Sequence, residues 1–489
     1  ANGGVNIARR KNVLYATKVQ DRYGNTVEYQ YSNAWNAPGR LTGISASDGR
    51  QLSIAYNAYG HVASVTEGAR TWHYHYSNAG TRRTLSAVVL PDGSQWTIGF
   101  ASFTSASLHY PPGHPWEPVR NCFLRLSGPI GPEEVTATIE HPSGLVGSFT
   151  VNWSTHGRSN VPVACQNYDW GGTSNMNDDY NWWTINYEIF SLTRKLLSGP
   201  GLAAESWTYT YTPNWSFLYY PGATIRVPCP IGVTCGEPIC TSDSCAKSSV
   251  TTVTSSSGER TSYFHGNSFR YNEGKLLKVD RGTDANPQME VQTFSYDLSM
   301  SQQAYPPTFG ISLRPNYDGF ASEYHRPQLW TQTLRDGVTF QRTHDAFDAL
   351  ARPTRATRSS TSNGHPSRTE QTTYRDNAFL WVLGQVEQVK CVAPIAALPA
   401  GCGVTGIVMS ETYYDSNWAV PLVSKQFGRT VQTLTWDTTS TVASGQRGTI
   451  RTSADGRGNT TTATSWHRGI PRMVTHADGT TRSTEVNAS

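Results

Sequence analysis

Two adjacent carboxylates beside tryptophans are the first residues in this chain whose types could do chemistry. Asp178 and Asp179 lie in a run rich in Asn, Tyr and Trp, and glycosidases place two carboxylates next to aromatic platforms. Neighbouring residues on a strand point to opposite faces, so the second carboxylate would have to come from elsewhere, and no residue identifies it. Trp170, Trp182 and Trp183 could stack on a glycan, or they could simply pack an inserted loop.

Two histidines on one predicted strand could hold a metal ion. His73 and His75 share the face opposite the neighbouring tyrosines. A two-histidine metal site and a solvated polar face both fit that spacing. The string from Gly401 to Gly406 matches Gly-x-Gly-x-x-Gly but opens no predicted helix, so a turn is favoured. Metalloprotease, nucleophile-elbow and phosphate-loop motifs do not occur. We predict no catalytic residue, no metal, no cofactor and no enzymatic activity.

Eight cysteines suggest a disulfide framework. They are Cys122, Cys165, Cys229, Cys235, Cys240, Cys245, Cys391 and Cys402. A disulfide between the last two would close a short loop rich in Pro, Gly and Ala, and the four cysteines between 229 and 245 would cross-link another loop. Uneven, Pro-rich gaps disfavour a zinc site, although zinc and free thiols stay open, as does the pairing. Disulfides indicate an oxidising compartment outside the cytosol.

Composition favours strands and excludes several partners. Of the 489 residues, 37% are hydrophobic, 11% aromatic and only 16% charged, and windows with apolar residues at helical spacing are missing. The net charge of +4 is scattered, so nucleic acid is not expected as a partner. No apolar run is long enough to predict a transmembrane segment. The chain begins at Ala1, which we interpret as a mature or trimmed product.

The first hundred residues show a repeated hairpin. Turns at Gly24, Gly49, Gly68 and Gly93 each precede a strand in which large and polar residues alternate, so each strand has one buried face. The aromatic residues predicted on that face are Tyr29, Tyr31, Tyr56, Trp72, Tyr74, Tyr76, Trp96, Phe100, Trp207, Tyr209 and Tyr211. The period of about 20 to 25 residues is typical of an array whose hairpins are stabilised by stacking on their neighbours.

The regularity divides the chain into three regions of one predicted sheet. Residues 1–100 form regular hairpin repeats, residues 101–260 form irregular repeats with insertions rich in Cys, Asn and Trp, and residues 261–489 continue the sheet with degenerate repeats. The stretches 160–190 and 212–260 lose the two-residue period and look like long loops along one edge of the sheet.

Several segments resemble the repeat of Rhs/YD-repeat proteins, which runs roughly as Tyr-x-Tyr-Asp, two variable residues, Gly-Arg and an apolar strand. The matching segments are Asp21 to Tyr31, Tyr56 to Val62, Tyr271 to Leu276, His344-Asp345 with Ala351 to Pro353, Trp381 to Val386, and Asp455 to Thr460. The matches span most of the chain and are weakest between residues 101 and 260. A chain-long series is far more specific than any single Tyr-Asp pair.

This resemblance implies an all-β hairpin array that forms a curved, spiralling sheet or shell with very little helix. In that family the shell of bacterial Rhs proteins, Tc-toxin cocoons and teneurin barrels often encloses a toxin domain. The chain lacks any Asp-Pro dipeptide, and with it the family's self-cleavage motif. The resemblance therefore implies either the shell-building part of a longer secreted bacterial protein or a family member without cargo.

Three functions follow as alternatives. The first is a secreted, non-enzymatic shell segment whose partners are other parts of its own precursor. The second is an extracellular fibre or surface layer of identical chains, because open strand edges pair with other strands. The third, weaker alternative is an adhesin that binds a cell-surface glycan through Trp170, Trp182 and Trp183.

Overall fold

The protein is described here from a computed structural model. The structure describes residues 14–33, 39–79, 82–104, 107–108, 129–130, 134–160, 186–212, 240–298, 304–308, 324–362, 367–392, 406–438 and 446–485. In these ranges the regular structure is β-strand, apart from a 3-10 helix at Ala101–Thr104. The prediction of an all-β fold with very little helix is confirmed. Within the described ranges, no helix is long and apolar enough to cross a bilayer.

Thirty strands follow one another in the part of the chain that the structure describes. The first fifteen are β1 Lys18–Gln20, β2 Thr26–Tyr31, β3 Leu41–Ala46, β4 Gln51–Tyr56, β5 Val62–Glu67, β6 Arg70–Ala79, β7 Arg82–Val89, β8 Gln95–Gly99, β9 Ser107–Leu108, β10 Pro129–Ile130, β11 Glu134–Glu140, β12 Val146–Gly157, β13 Asn186–Gly199, β14 Leu202–Thr212 and β15 Ser248–Ser255. The others are β16 Glu259–Gly266, β17 Leu276–Thr283, β18 Glu290–Tyr296, β19 Gln328–Arg335, β20 Val338–Phe347, β21 Pro353–Ser360, β22 Arg368–Asn377, β23 Val382–Cys391, β24 Ile407–Tyr414, β25 Pro421–Gln426, β26 Arg429–Asp437, β27 Thr449–Asp455, β28 Thr460–His467, β29 Ile470–Thr475 and β30 Thr481–Ser483.

Twenty-eight of these strands form one antiparallel sheet. Each pairs with the next in chain order, except that β8 pairs with β11 while β9 and β10 pair with each other. Among the described residues, β1 pairs only with β2, and β30 only with β29. The hydrogen bonds between the described strands therefore do not join the two ends of the sheet.

Because neighbouring strands are antiparallel, their connections alternate between the two edges of the sheet. We call the edge with the β1–β2, β3–β4 and β5–β6 connections the tight edge, and the edge with the β2–β3 and β4–β5 connections the wide edge. The longest connections, at residues 100–133, 158–185, 213–247 and 297–327, all leave from the wide edge. The predicted long loop at 160–190 coincides with one of these connections. The predicted loop at 212–260 was too long, because β15 Ser248–Ser255 and the start of β16 lie within it as paired strands.

Side-chain exposure alternates along the strands, in step with the alternation of large and polar residues in the sequence. Along β4 the pattern is strictly exposed then half-buried, and β8 and the end of β14 repeat it. Large side chains are half-buried rather than enclosed, because a single sheet buries a side chain only against its neighbours on the same face. Fully buried residues are concentrated instead beside the wide edge, near β16 and β17.

Candidate functional site

A row of aromatic side chains ties successive hairpins together along the wide edge. Each donates a hydrogen bond, of 2.7 to 3.1 Å, to a backbone carbonyl of an earlier strand or of the residues just before it. We call this row the aromatic rail. Its members are Tyr31, Tyr56, Tyr76, Tyr211, Tyr296, His344, Tyr374, Tyr414, Trp436 and Trp466.

Strand register places each acceptor of the rail. Tyr56 donates to the carbonyl of Leu41, the residue that pairs with Tyr31. Tyr76 in turn donates to Val62, which pairs with Tyr56. Both register pairs lie directly after a β-bulge, where one extra residue on the return strand increases the local twist. The bulge and the aromatic tie recur together, so they fix how each hairpin turns relative to the previous one.

Burial favours the protonated phenol at five tyrosines of the rail. It raises the pKa of Tyr76, Tyr211, Tyr296, Tyr374 and Tyr414 above the ordinary value. A phenol with a raised pKa keeps its proton at any physiological pH, so it stays a donor to the carbonyl. These five tyrosines therefore remain hydrogen-bond donors within the rail.

Where Asn or Asp directly follows a rail aromatic, as at Asn57 and Asp415, its side chain closes the wide-edge turn. Asn57 accepts backbone N–H bonds of 3.0 Å from both Tyr59 and His61. Asp415 follows Tyr414 and accepts from Asn417 and Trp418, at 2.8 and 2.7 Å. Short polar side chains that accept from the backbone stabilise such turns. The Tyr-Asp pair therefore combines a tie to the previous hairpin with a cap for its own turn.

A cation at the start of the return strand completes the unit. Arg352 donates two hydrogen bonds of 2.7 Å to the carboxylate of Asp376 and one to Asp348, and lies over the ring of Tyr374. These bonds lower the pKa of Asp376 to about 2. Arg40 over Tyr56 and Lys275 over Tyr296 repeat the stacking at 5.5 and 5.1 Å. Each unit thus holds the next by a hydrogen bond and a cation–π contact.

A buried polar cluster beside the wide edge joins separated parts of the chain. Ser159, Ser268 and Asn272 are at most 2% exposed, and Phe269 is 1% exposed. The guanidinium of Arg158 lies over the ring of Phe269, 4.8 Å from its centroid. Ser159 donates its backbone N–H to Asn267 and accepts one from Phe269, both at 2.8 Å. Buried polar groups with partners of this kind specify one arrangement of the backbone.

Charged groups close the cluster. Arg326 donates to the carbonyls of Arg270 and Tyr271, and burial lowers its pKa to about 10. Burial together with the carboxylate of Asp243 raises the pKa of Tyr271 to about 12. A groove of about 820 Å³ beside the cluster is lined by Asp243, Lys278 and other side chains. Among the described residues, no three His, Cys, Asp or Glu side chains are grouped to hold a metal ion.

The first hairpin of the sheet touches two wide-edge turns near its C-terminal end. Tyr23, in the tight-edge turn between β1 and β2, stacks on Trp418 in the wide-edge turn between β24 and β25, with ring centroids 5.7 Å apart. Asn25 donates to the carbonyl of Arg447 at 3.2 Å. Gly448 has φ of 80°, and a Cβ atom there would overlap the ring of Tyr23. We call this contact between the two edges the seam.

The seam extends to the next tight-edge turn. Residues of the β3–β4 turn and Arg468 and Gly469 of the β28–β29 turn line a shared cavity of about 390 Å³. Partial burial raises the pKa of Asp48, but its hydrogen bonds with Arg50 and the charge of Arg468 hold it below the ordinary value. Successive turns of the tight edge therefore contact successive turns of the wide edge, in the same order along the chain.

The structure places the predicted turn and strand residues as follows. Gly24, Gly49, Gly68 and Gly93 lie at the tight edge, with φ between 56° at Gly68 and 90° at Gly49. The eleven predicted face aromatics are all half-buried. Of these, Tyr31, Tyr56, Tyr76 and Tyr211 also belong to the rail. Sequence reasoning did not identify the rail or the seam, although an aromatic directly before Asp or Asn marks several rail positions.

The cysteines and tryptophans singled out from the sequence are only partly described. Cys240 and Cys245 form a disulfide with Cα atoms 5.6 Å apart, and Cys391 is fully buried and also disulfide-bonded. Outside the described residues lie Cys122, Cys165, Cys229, Cys235, Cys402, Trp170, Trp182 and Trp183. Glycan binding by the three tryptophans thus stays a prediction.

Comparison with known proteins gives limited similarity. No family model matches the chain, and no curated protein matches it. Among solved structures, the chain is similar to TcdB2-TccC3-TEV, with a TM-score of 0.31 and 11% identity over 92% of this chain and 24% of that one. TcdB2-TccC3-Cdc42 gives 0.24 and 9%, over 96% and 30%. TcdB2-TccC3 gives 0.23 and 10%, over 96% and 25%.

The chain thus spans less than a third of the length of these solved chains. Similarities at this level establish neither a family nor a function. Membership of the Rhs/YD-repeat family stays a prediction from the residue pattern.

Proposed function

We propose that this chain forms part of the wall of a hollow shell, with a structural and non-enzymatic role outside the cytosol. The seam is the observation that carries the proposal. From β2 to β24 the sheet contains 21 strands, because β9 and β10 stand apart. A flat sheet would hold those two strands about 100 Å apart at the usual strand spacing. Contact between Tyr23 and Trp418 therefore requires the sheet to curve through a full revolution.

The size of this revolution limits what such a wall could enclose. An arc of about 100 Å corresponds to a ring about 32 Å across, and inward side chains reduce the free width to about 20 Å. A single helix, about 10–12 Å wide, would fit in that space. A compact domain of about 100 residues, more than about 30 Å across, would not. A shell of this width would hold its contents, other parts of its own precursor, as extended or helical chain.

The chemistry of the described residues supports a structural role. Two His–Ser pairs in the described ranges have the spacing of a nucleophile and its base: His141 Nδ1 lies 2.8 Å from Ser143 Oγ, and His156 Nε2 lies 2.8 Å from Ser191 Oγ. Nδ1 of His141 also accepts the backbone N–H of Ser143 at 3.1 Å, so this pair stabilises its own turn. Ser191 is buried and also bonded to the hydroxyl of Ser154, so its oxygen serves strand packing. The Cys240–Cys245 disulfide supports an oxidising, extracellular location.

A fibre or surface layer of identical chains is the second candidate. Among the described residues, β1 and β30 each pair on one side only. Unpaired strand edges are templates for strand addition from another chain. The two candidates differ in what the seam does, since a shell requires it and a straight fibre does not.

Electron microscopy of the purified chain, combined with small-angle scattering, tests the proposal. The wild-type chain should give compact ring-like particles. Tyr23→Ala should open the seam and increase the radius of gyration, because it removes the stack on Trp418. Tyr59→Ala is the matched control, since Tyr59 is 64% exposed and takes no part in the seam. Fibres that form equally well with Tyr23→Ala would refute the shell and favour the second candidate.

A further inference from the structure

Three arginines face one another across three neighbouring strands. Arg342 of β20 pairs in register with Arg358 of β21, and Arg358 pairs with Arg368 of β22. Directly opposed side chains share one face of the sheet, and like charges in such positions are destabilising. Arg342 lies two residues before His344 of the rail, so the three arginines lie on the face that carries the rail. We call Arg342, Arg358 and Arg368 the arginine ladder.

Elsewhere in the described sheet, charged residues that pair in register have opposite signs. The pairs are Lys18 with Glu28, Glu67 with Arg70, Arg281 with Glu290, Glu290 with Arg335, and Glu411 with Lys425. Each of these register pairs is also an ion pair. The fold therefore compensates charge between neighbouring strands, and the arginine ladder departs from that pattern.

The arginine ladder is only partly neutralised. Glu370 lies 2.6 Å from Arg368 and 3.6 Å from Arg358, and among the described residues it is the one carboxylate within ion-pair distance of the ladder. Arg342 is exposed and forms no ion pair with any described residue. Three guanidinium groups against one carboxylate leave two positive charges on this face without a counter-charge.

Aromatic side chains flank the arginine ladder on the same face. Phe340 precedes Arg342 by two residues on β20 and is 50% exposed. Burial raises the pKa of Tyr374, whereas the charges of Arg352 and Arg342 oppose that rise. The charge of Arg342 therefore acts on a rail tyrosine two strands away. Arginine beside an exposed aromatic ring is a combination enriched in contact surfaces between proteins.

The charge and spacing of the ladder indicate the partner that fits it. Guanidinium groups bind carboxylates through paired hydrogen bonds, so the excess charge favours an acidic partner. At a strand spacing of about 4.8 Å, the first and third arginines are about 10 Å apart. Helix positions i and i+7 are about 10.5 Å apart along the axis, with i+3 or i+4 between them on the same face. Three side chains on one face of an extended chain span about 13 Å and fit less well.

We infer that the arginine ladder binds a helix of a partner protein that carries a stripe of Glu or Asp. The helix runs across β20, β21 and β22, so that each arginine meets one acidic side chain and Phe340 packs against the apolar border of the stripe. The ladder takes no part in the seam. The docking and the shell can therefore fail separately.

Two synthetic peptides of identical composition test the inference by fluorescence anisotropy with the full chain. Both are rich in Ala and about 20 residues long, which favours the helix. In the first peptide, Glu recurs at i, i+4 and i+7, so the carboxylates form one stripe on the helix. In the second, the same number of Glu residues occupies every second position, which suits an extended chain. The first peptide should bind several-fold more tightly, and added salt should weaken its binding.

Two matched variants locate the binding surface. Arg358→Gln should weaken binding of the first peptide about tenfold, because one charge-assisted contact is lost. Arg355→Gln should leave binding unchanged, since Arg355 is an exposed arginine of the same strand on the opposite face. Equal losses for the two variants would overturn the inference, because long-range charge alone would then explain the binding. Failure of the first peptide to bind, or tighter binding of the second, would overturn it as well.

The melting temperature of the free chain separates a binding role from a structural one. Arg342→Thr should leave the melting temperature unchanged or raise it, because the substitution relieves repulsion between like charges. Arg70→Thr is the comparison and should lower it, since Arg70 pairs with Glu67 and lies over the ring of Trp72. Equal decreases for the two variants would assign the arginine ladder to the stability of the fold and contradict the docking.

Discussion

The N-terminal arm, residues 14–104, and the buried polar cluster around Phe269 hold together in different ways. In the arm, the aromatic side chains of β2, β4 and β6 are half-buried, and successive hairpins are joined by the rail. In the cluster, Ser159, Phe269 and Asn272 are almost completely buried and join chain segments more than one hundred residues apart.

This difference indicates two kinds of stability in one sheet. The arm distributes its stability over many small, nearest-neighbour ties, as repeat proteins do. The cluster concentrates its stability in a few buried groups whose loss disturbs several segments together. A single substitution should therefore cost much more in the cluster than in the arm.

The largest expected effect is in the cluster. Phe269→Ala should destabilise the protein by about 3–5 kcal/mol, because it leaves a cavity among buried polar groups. Chemical denaturation measures the change. Phe340→Ala is the matched control, since Phe340 is 50% exposed. Equal losses for the two variants would remove the distinction between the cluster and the open sheet.

A turn of the arm should show the next largest effect. Gly49 has φ of 90° with no atom near its missing Cβ, so backbone conformation alone opposes a side chain there. Gly49→Val should cost about 1–2 kcal/mol. Thr97→Ala, at an exposed strand position, should change the melting temperature very little. Similar melting temperatures for these two variants would contradict the turn assignment.

One tie of the rail should contribute less. Tyr56→Phe removes the hydroxyl that donates to Leu41 and should cost about 0.5–1.5 kcal/mol. Combining it with Tyr374→Phe, which lies in a distant hairpin, should add the two losses, because separate sites rarely couple. Tyr59→Phe is the control. Losses far from additive in the double variant would show that the rail acts as one cooperative unit.

The smallest expected change in stability occurs on mild acidification, and it should come from two histidines near the cluster. Burial lowers the pKa of His156 and His265 in the folded chain. The unfolded chain binds these protons first, so stability is complete above about pH 6.5 and falls as pH decreases through the folded values. Denaturation midpoints at pH 7.5 and 5.5 should differ, and His156→Gln should reduce the difference. A larger midpoint at pH 5.5 would contradict the sign.

The carboxylates of the wide-edge turns should lose their contribution to stability only at lower pH than the histidines. Asp348 keeps a lowered pKa despite partial burial, because Arg352 and backbone N–H groups bond it. Asp376 has a pKa of about 2. Their contribution is present above about pH 4 and is lost as pH falls through the folded values.

The sequence by itself determined the all-β class, the hairpin period and the turn positions. Apolar residues at every second position, such as Leu52, Ile54 and Tyr56, are typical of a strand with one shielded face. Asp-Gly pairs are typical of the tight turns that join two such strands. These are local constraints between residues near one another in the chain, so a repeated pattern reveals them. The sequence placed long loops at 160–190 and 212–260, but it missed β15 Ser248–Ser255 in the second stretch, where small polar residues mask the strand pattern.

Only the tertiary structure decided the rail, the cluster and the seam. Tyr56 reaches a carbonyl fifteen residues away because a β-bulge sets the register, and Arg326 bonds carbonyls more than fifty residues earlier. Tyr23 meets Trp418 because small twists accumulate over 21 strands. Each hairpin determines only its own angle to the next hairpin. The contact between Tyr23 and Trp418 depends on the sum of all these angles, so no local sequence pattern predicts it.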